Sequence, residues 1–332
     1  MTSSSMIAAV VETHDGPFHL RDVALPQPGA GEVLVRVHAS GTNPLDIKIR
    51  AGLAAHARNP LPATLGLDMA GTIERVGADV RGFVPGDEVY GMIGGVGGLP
   101  GTHAEYAVAD ARLIAHKPAN LSMREAAVLP LVAITAWEGL IDRAQLRPGQ
   151  TVLVQGGAGG VGHAVVQLAL ARGATVSATA LGGDDLAYLE RLGAAPIDGG
   201  RDVADYVRAY GDGNGFDIVY DTGGGALLDA SFHAVRRFGH VVSSLGWGQH
   251  LLAPLSFRQA SYSGVFTLQP LIDGEGRGHF GEILAELTTL VEQGKLLPRL
   301  DPREFTLATL AEAYAALEAR DGAGKIAITA TT

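Results

Sequence analysis

The sequence predicts a two-domain α/β protein, with a strand-rich barrel or sandwich-like domain first and a doubly wound parallel sheet after it. Three observations predict this. The first 120 or so residues carry short alternating apolar runs broken by Gly and Pro. From about Ser122 onward, apolar β runs alternate with helical stretches. The first strand-to-helix turn of that alternating region is glycine-rich. A chain of 332 residues exceeds one ordinary core and suits two.

In the first region, Met6 to Val11 reads as an opening strand, and Val33 to Ala39 alternates with the two-residue period of a half-buried one. Ala70 to Gly77 is a strand ending in a glycine turn, and Val84 to Gly91 is a turn feeding another. Ser122 and Glu125 then form a capping-box pattern ahead of an apolar helix over Ala126 to Ile141. Strands follow at Thr151 to Gln155, Thr175 to Ala180, Phe216 to Asp221, Gly239 to Leu245 and Tyr262 to Leu268. Helices follow at Val161 to Ala171, Leu186 to Leu192, Phe280 to Glu292 and Leu307 to Ala319, and Lys325 to Thr329 closes the chain as a strand. Strands alternating with helices imply right-handed βαβ units and a parallel sheet. The domain expectation is one unit over 1–121, completed by 270–332, and a second over 122–269.

The glycine turn reads Gly156-Gly157-Ala158-Gly159-Gly160-Val161-Gly162, in which Gly157, Gly159 and Gly162 spell G-x-G-x-x-G. The first glycine permits the tight turn, the second lets backbone amides approach a pyrophosphate, and the third lets helix pack on strand. The helix start adds unpaired N–H groups and the positive end of its dipole. Because the motif follows a strand and opens a helix, dinucleotide binding outweighs a merely structural turn. No G-K-[ST] follows, which argues against a P-loop nucleotidase. The second strand ends Thr179-Ala180 without the acid that usually grips an NAD ribose, and Asp184 and Asp185 follow.

Composition removes several classes. With 0 Cys there is no disulfide, thiolate zinc site, iron–sulfur cluster or cysteine nucleophile. The 11 His are scattered, with no H-E-x-x-H. The formal charge of −10 argues against nucleic acid as a partner. The start, Met1 to Ser5, lacks a basic leader region, and the apolar run after it is too short for a signal peptide or membrane span, so the reading is a soluble cytoplasmic protein. The 46 Gly, well above the ~7% of average usage, fit many tight turns.

Several motifs stand in one order: Gly41-Thr42-Asn43-Pro44-Leu45-Asp46, Ile49-Arg50-Ala51-Gly52, Leu65-Gly66-Leu67-Asp68-Met69-Ala70-Gly71, Val84-Pro85-Gly86-Asp87-Glu88-Val89, Ala104-Glu105-Tyr106, Ile134-Thr135-Ala136-Trp137, the glycine turn, Asp217 to Asp221 and Gly324-Lys325. In these the chain resembles the zinc-independent quinone oxidoreductase (zeta-crystallin-like) branch of the medium-chain dehydrogenase/reductase superfamily, from about Ala8 to Ile328. The resemblance implies a GroES-like barrel plus a Rossmann domain, with cofactor and substrate in the cleft between them. Zinc alcohol dehydrogenases of the superfamily carry Cys where Asn43 stands and Gly-His-Glu where Gly66-Leu67-Asp68 stands. Their structural zinc loop is replaced by Gly94 to Pro100. No metal site is therefore expected.

By the same resemblance, Gly159, Gly160 and Val161 meet the cofactor phosphates, Ser244, Leu245 and Gly246 lie at the end of the fifth strand, and Phe266, Thr267 and Leu268 hold the nicotinamide amide from the next. Thr135 faces the nicotinamide ribose. The branch holds an NADPH 2′-phosphate with a Lys, a Tyr and an Arg; here those positions are Asp185, Gly199 and Arg320, so only the last matches. NADPH is the cofactor implied, with NADH as the alternative.

Without a Lewis acid, alcohol oxidation is disfavoured, and hydride transfer to an acceptor that stabilises negative charge itself is easier. Quinones and α,β-unsaturated carbonyls qualify. Asn43, Asp46, Lys48 and Arg50 lie on the segment that faces the branch's cleft; Lys48 stands where many members have Tyr and could donate to a developing enolate or quinol oxygen. An Asp46–Lys48 ion pair is the structural alternative. His103 and Tyr106 rank behind them. A zinc-type alcohol dehydrogenase and a catalytically idle dinucleotide-binding protein remain as other classes. The apolar strand from Tyr262, at a sheet edge, invites pairing with a second copy, so a homodimer is expected.

Overall fold

The computed structural model describes residues 5–330, so the Met1 to Ser4 stretch read above for a leader lies outside it. The chain divides into two compact units. One comprises 1–131, 268–293 and 298–332; the other comprises 132–267 and 294–297. The stretch 122–131, assigned from sequence to the dinucleotide domain, groups with the first unit.

The first unit is built on antiparallel strands. Glu32–Gly41 is its spine. It pairs along one side with Asp68–Val76 and along the other with Tyr106–Asp110 and Ala327–Thr329. Asp68–Val76 continues through Glu88–Met92 to Ile114–His116. A smaller sheet orders Phe18–Ala24, Ser5–Val11 and Ala63–Thr64. The alternation read at 33–39 survives as buried Val33, Val35, Val37 and Ala39. Leu34 is buried as well.

The second unit is a six-stranded, wholly parallel sheet. Its order is Ala195–Asp198, Thr175–Ala180, Thr151–Gln155, Phe216–Asp221, Val235–Ser243, Ser261–Gly264. Numbered along the chain this is 3-2-1-4-5-6, the Rossmann order, whose direction reverses between Thr151–Gln155 and Phe216–Asp221. Ligands bind such sheets outside the carboxyl ends at that reversal, where Gln155 and Asp221 stand side by side. Leu153, Val219, Phe216, Phe232 and Val241 make one buried cluster between sheet and helices.

Four expected elements differ. The helix foreseen over Ala126 to Ile141 is three segments: Met123–Ala127, Pro130–Trp137 and a π-helical turn Glu138–Arg143. Pro130 lacks an N–H, so it starts a helix rather than continuing one. The strand foreseen over Gly239 to Leu245 runs Val235–Ser243, with its register shifted where Phe238 takes φ +61. Ser244, Leu245 and Gly246 therefore lie in the loop beyond it. The strand foreseen over Tyr262 to Leu268 stops at Gly264. Beyond it Val265 still donates to the Ser243 carbonyl, then Phe266 and Thr267 turn, and Leu268 heads the short helix Gln269–Asp273. Lys325 precedes the last strand, which is Ala327–Thr329.

Candidate active site

In the second unit the glycine turn is shaped by its neighbours. Gly156 has φ +75, a conformation that costs other residues strain. Its N–H donates to Thr179 Oγ1 at 3.0 Å, Thr179 Oγ1 donates to Gln155 Oε1 at 2.9 Å, and Gln155 Nε2 donates to Tyr206 Oη at 2.9 Å. Gly157 donates to the Thr179 carbonyl, and Thr222 Oγ1 to that of Gln155 at 2.7 Å. A Cβ on Gly157 would stand 2.6 Å from Ala178 Cβ, and one on Gly162 would stand 2.1 Å from the Gly156 carbonyl oxygen. Gly159 and Gly160 are exposed, and Gly159 caps the 12-residue helix Gly160–Ala171 without a side-chain cap hydrogen bond. Packed glycines behind and open amides in front make a cradle for a pyrophosphate, so the residues fit a dinucleotide.

The remaining candidates of this unit gather around the next strand ends. Asp221 accepts from Gly223 N and Gly224 N and, at 2.6 Å, from Ser243 Oγ. Ser243 Oγ in turn accepts from Leu245 N at 3.0 Å, which fixes the start of the Ser244–Gly246 loop. Burial raises the Asp221 carboxyl, and its donors oppose that. Thr135 Oγ1 and Thr267 Oγ1 lie 3.1 Å apart, and Thr267 donates to Glu138. The sequence thus names two residues, 132 positions apart, that the fold joins directly.

The first unit holds an ionic cluster. Asn43 and Asp46 stand at the head of the helix Pro44–Arg50, where Asp46 Oδ2 accepts from Asn43 N at 2.7 Å. Asn43 Nδ2 donates to Asp68 Oδ2 at 3.0 Å, and Leu131 N donates to Asp68 Oδ1 at 3.0 Å. Lys325 Nζ donates to Asn43 Oδ1 and lies 3.7 Å from Asp68 Oδ2. All four side chains are buried. Burial pushes the Asp46 carboxyl up to about 7 and that of Asp68 up to about 6, with Lys325 holding the latter back. Burial lowers Lys325, and the two carboxylates resist that loss. Asp46 Oδ1 has no hydrogen-bond partner among the described residues, an oxygen best left uncharged.

Lys48 is exposed on the same helix, and among the described residues no ion pair joins it to the buried Asp46. His103 lies deep beside the cluster. Its Nδ1 meets Ser40 Oγ at 2.9 Å and its Nε2 meets Tyr314 Oη at 3.0 Å. Burial pushes its imidazole down to about 3, so it stays neutral. Tyr106 is half-buried, with the Arg36 guanidinium over its ring. Arg320 is exposed just past the helix Leu310–Glu318, at φ +51.

Lys325 and Asp68 are the members that sequence reasoning did not single out as site residues. The available signal was a lone Lys heading the apolar run Ile326-Ala327-Ile328, which demands a buried counter-charge.

A zinc ion does not fit this cluster. Asn43 turns an amide toward Asp68, Leu67 is apolar and buried, and a lysine ammonium already balances the carboxylate. Among the described residues no group of three His, Cys, Asp or Glu side chains is placed to hold a metal.

Two family models match the chain. Residues 29–119 match the alcohol dehydrogenase GroES-like domain, and residues 192–328 match the zinc-binding dehydrogenase family. The chain is 36% identical over 317 residues to a 2-methylene-furan-3-one reductase of Solanum lycopersicum, covering 92% of this chain and 74% of that one. It is 30% identical to the quinone oxidoreductase of Homo sapiens, covering 88% and 87% respectively. A crystal structure of an alcohol dehydrogenase superfamily protein from Novosphingobium aromaticivorans superposes with a TM-score of 0.96 at 63% identity, over 98% of this chain and 99% of that one.

Proposed function

The chain belongs to the medium-chain dehydrogenase/reductase superfamily, in its quinone oxidoreductase branch, and from that premise we propose that it reduces quinones or α,β-unsaturated carbonyls with NADPH and without a metal. It is an oxidoreductase by family. The observation that carries the finer reading is the Asn43–Asp68–Lys325 cluster. By the resemblance, it puts an amide at Asn43 where metal-dependent relatives carry Cys, with the apolar Leu67 where they carry His, and a lysine ammonium beside Asp68. Relatives named for enone and quinone reduction support the acceptor class.

A reduced nicotinamide supplies the hydride when bound. The glycine turn binds the phosphates through backbone amides, and the Thr135–Thr267 pair and the Ser244–Gly246 loop orient the nicotinamide end. Lys48, the exposed charged residue of its helix, donates a hydrogen bond to the oxygen that gains charge. Asn43 and Asp46 have their polar atoms turned inward and hold the segment that presents Lys48. Leu268 caps the helix that follows Thr267.

Purified protein should oxidise NADPH with quinones and enones, and a strong chelator should leave the rate unchanged. Activity lost to the chelator and restored by zinc would overturn the metal-free reading. No turnover with any acceptor, despite tight dinucleotide binding, would leave an idle binding protein. Arg320 carries the phosphate preference: Arg320→Ala should weaken NADPH and spare NADH, and equal losses for both would sink that assignment. We also propose a homodimer formed through Ser261–Gly264, the sheet's terminal strand, where Tyr262 is partly exposed. A monomeric mass by light scattering at micromolar concentration counts against it.

A further inference from the structure

His250 sits at the far end of the loop that begins with Ser244. Its Nδ1 lies 2.8 Å from Asp229 Oδ1, on the helix Gly225–Ala234. Its Nε2 lies 3.2 Å from the Trp247 carbonyl oxygen. Both partners only accept. A neutral imidazole has one N–H and satisfies one of them, leaving a lone pair facing oxygen at the other. The imidazolium satisfies both.

The tie has a consequence for the loop. Trp247 stands edge-on to Phe266, with ring centroids 6.2 Å apart, and Trp247 N donates to the Leu245 carbonyl. Leu245 is in turn fixed through Ser243 to Asp221. The loop is thus anchored at its start by Asp221 and at its end by His250. We propose that His250, as its imidazolium, is a positioning residue that holds the Leu245–Trp247 loop against Phe266 and so sets the affinity of the nicotinamide end of the site; this rests on the dinucleotide reading above.

The charges around His250 agree. Asp229 faces it from the Gly225–Ala234 helix, and Asp221 acts on it from the end of Phe216–Asp221. The Phe232 ring meets it edge-on at 6.1 Å. Arg258, the cation of the following helix, donates to the His233 and Pro254 carbonyls. The hydrogen bond to Asp229, and then that to Trp247, raise the imidazole above its usual 6.5. The tie is complete below the ordinary 6.5 and is released as pH rises through the raised value.

The protein has 2 Trp, so Trp137→Phe leaves Trp247 as a lone reporter. In that background, Trp247 emission should show one transition above the ordinary imidazole value. His250→Gln should abolish it, and Asp229→Asn should move it to lower pH. In parallel, the NADPH dissociation constant should rise about tenfold across the transition, as for loss of one charge-assisted tie, and be flat with pH in His250→Gln. A Trp247 transition that persists in His250→Gln overturns the tie. A transition present with flat cofactor affinity overturns the positioning role. A transition present with no dinucleotide bound at any pH leaves the tie standing and removes the dinucleotide reading beneath it.

Discussion

The glycine turn and the Asn43–Asp68–Lys325 cluster are built in opposite ways. The first is a surface of backbone amides, shaped by neutral hydrogen bonds from Thr179 and Gln155 and by glycines that leave no room for a side chain. The second is made of charged side chains shut away from water, each satisfied mainly by the others. Removing a neutral bond costs little, whereas removing one partner of a buried charge leaves the other stranded. Binding at the first site therefore tolerates changes around it but not bulk within it. The second tolerates no unmatched change at all.

The largest expected effect tests the ionic side. Lys325→Met should destabilise the protein by about 3–5 kcal/mol in chemical denaturation, because Asp68 loses its counter-charge. Pairing it with Asp68→Asn should recover most of that. A single-variant cost near that of a surface ion pair, below about 1 kcal/mol, breaks the contrast. On the other side, Gly159→Asp should weaken dinucleotide binding by about 100-fold, or about 2.7 kcal/mol, by placing a carboxylate where the phosphates sit. The fold should survive, since a Cβ at Gly159 meets only the Gly156 carbonyl oxygen, at 3.3 Å. Undiminished calorimetric titration in a folded variant removes the site.

The smallest effect concerns pH. Asp46 is pushed from 3.8 up to about 7, so the folded protein binds a proton there that the unfolded chain has released. The resulting stability is present below 3.8 and lost as pH rises through about 7. Asp46→Asn should therefore gain on wild type in melting temperature between pH 4 and pH 8. A gap constant across that range shows Asp46 ionised throughout and sharpens the contrast in the other direction. His103 works with the opposite sign: lowered to about 3, it adds stability above 6.5 that fades as the pH falls.

The same contrast explains what the sequence made legible. Gly157, Gly159 and Gly162 announce the phosphate turn because a backbone site needs residues close together with special conformations. Alternation and handedness announce a parallel sheet, but its 3-2-1-4-5-6 order and the strand Ala195–Asp198 appear only in the fold. Apolar character, by contrast, reports burial and not backbone state. Ala126 to Ile141 read as one helix although Pro130 splits it, and Tyr262 to Leu268 read as one strand although it ends at Gly264. The ionic cluster was least visible. Asn43 and Lys325 meet across 282 positions, and no local pattern encodes that meeting.

That span matters while the chain is being made. The first unit draws the strand Ala327–Thr329 and the Lys325 ammonium from beyond the whole of the parallel sheet in the chain. Asp68 is synthesised more than two hundred residues before its counter-charge. During that interval the early strands hold carboxylates that cannot be shut away from water, while residues 132–267 already include all six strands of the parallel sheet. The second unit can condense as it leaves the ribosome, and the Asp68 carboxylate must wait for Lys325. A nascent chain stopped before Lys325 therefore lacks the counter-charge beside which Asp68 is buried.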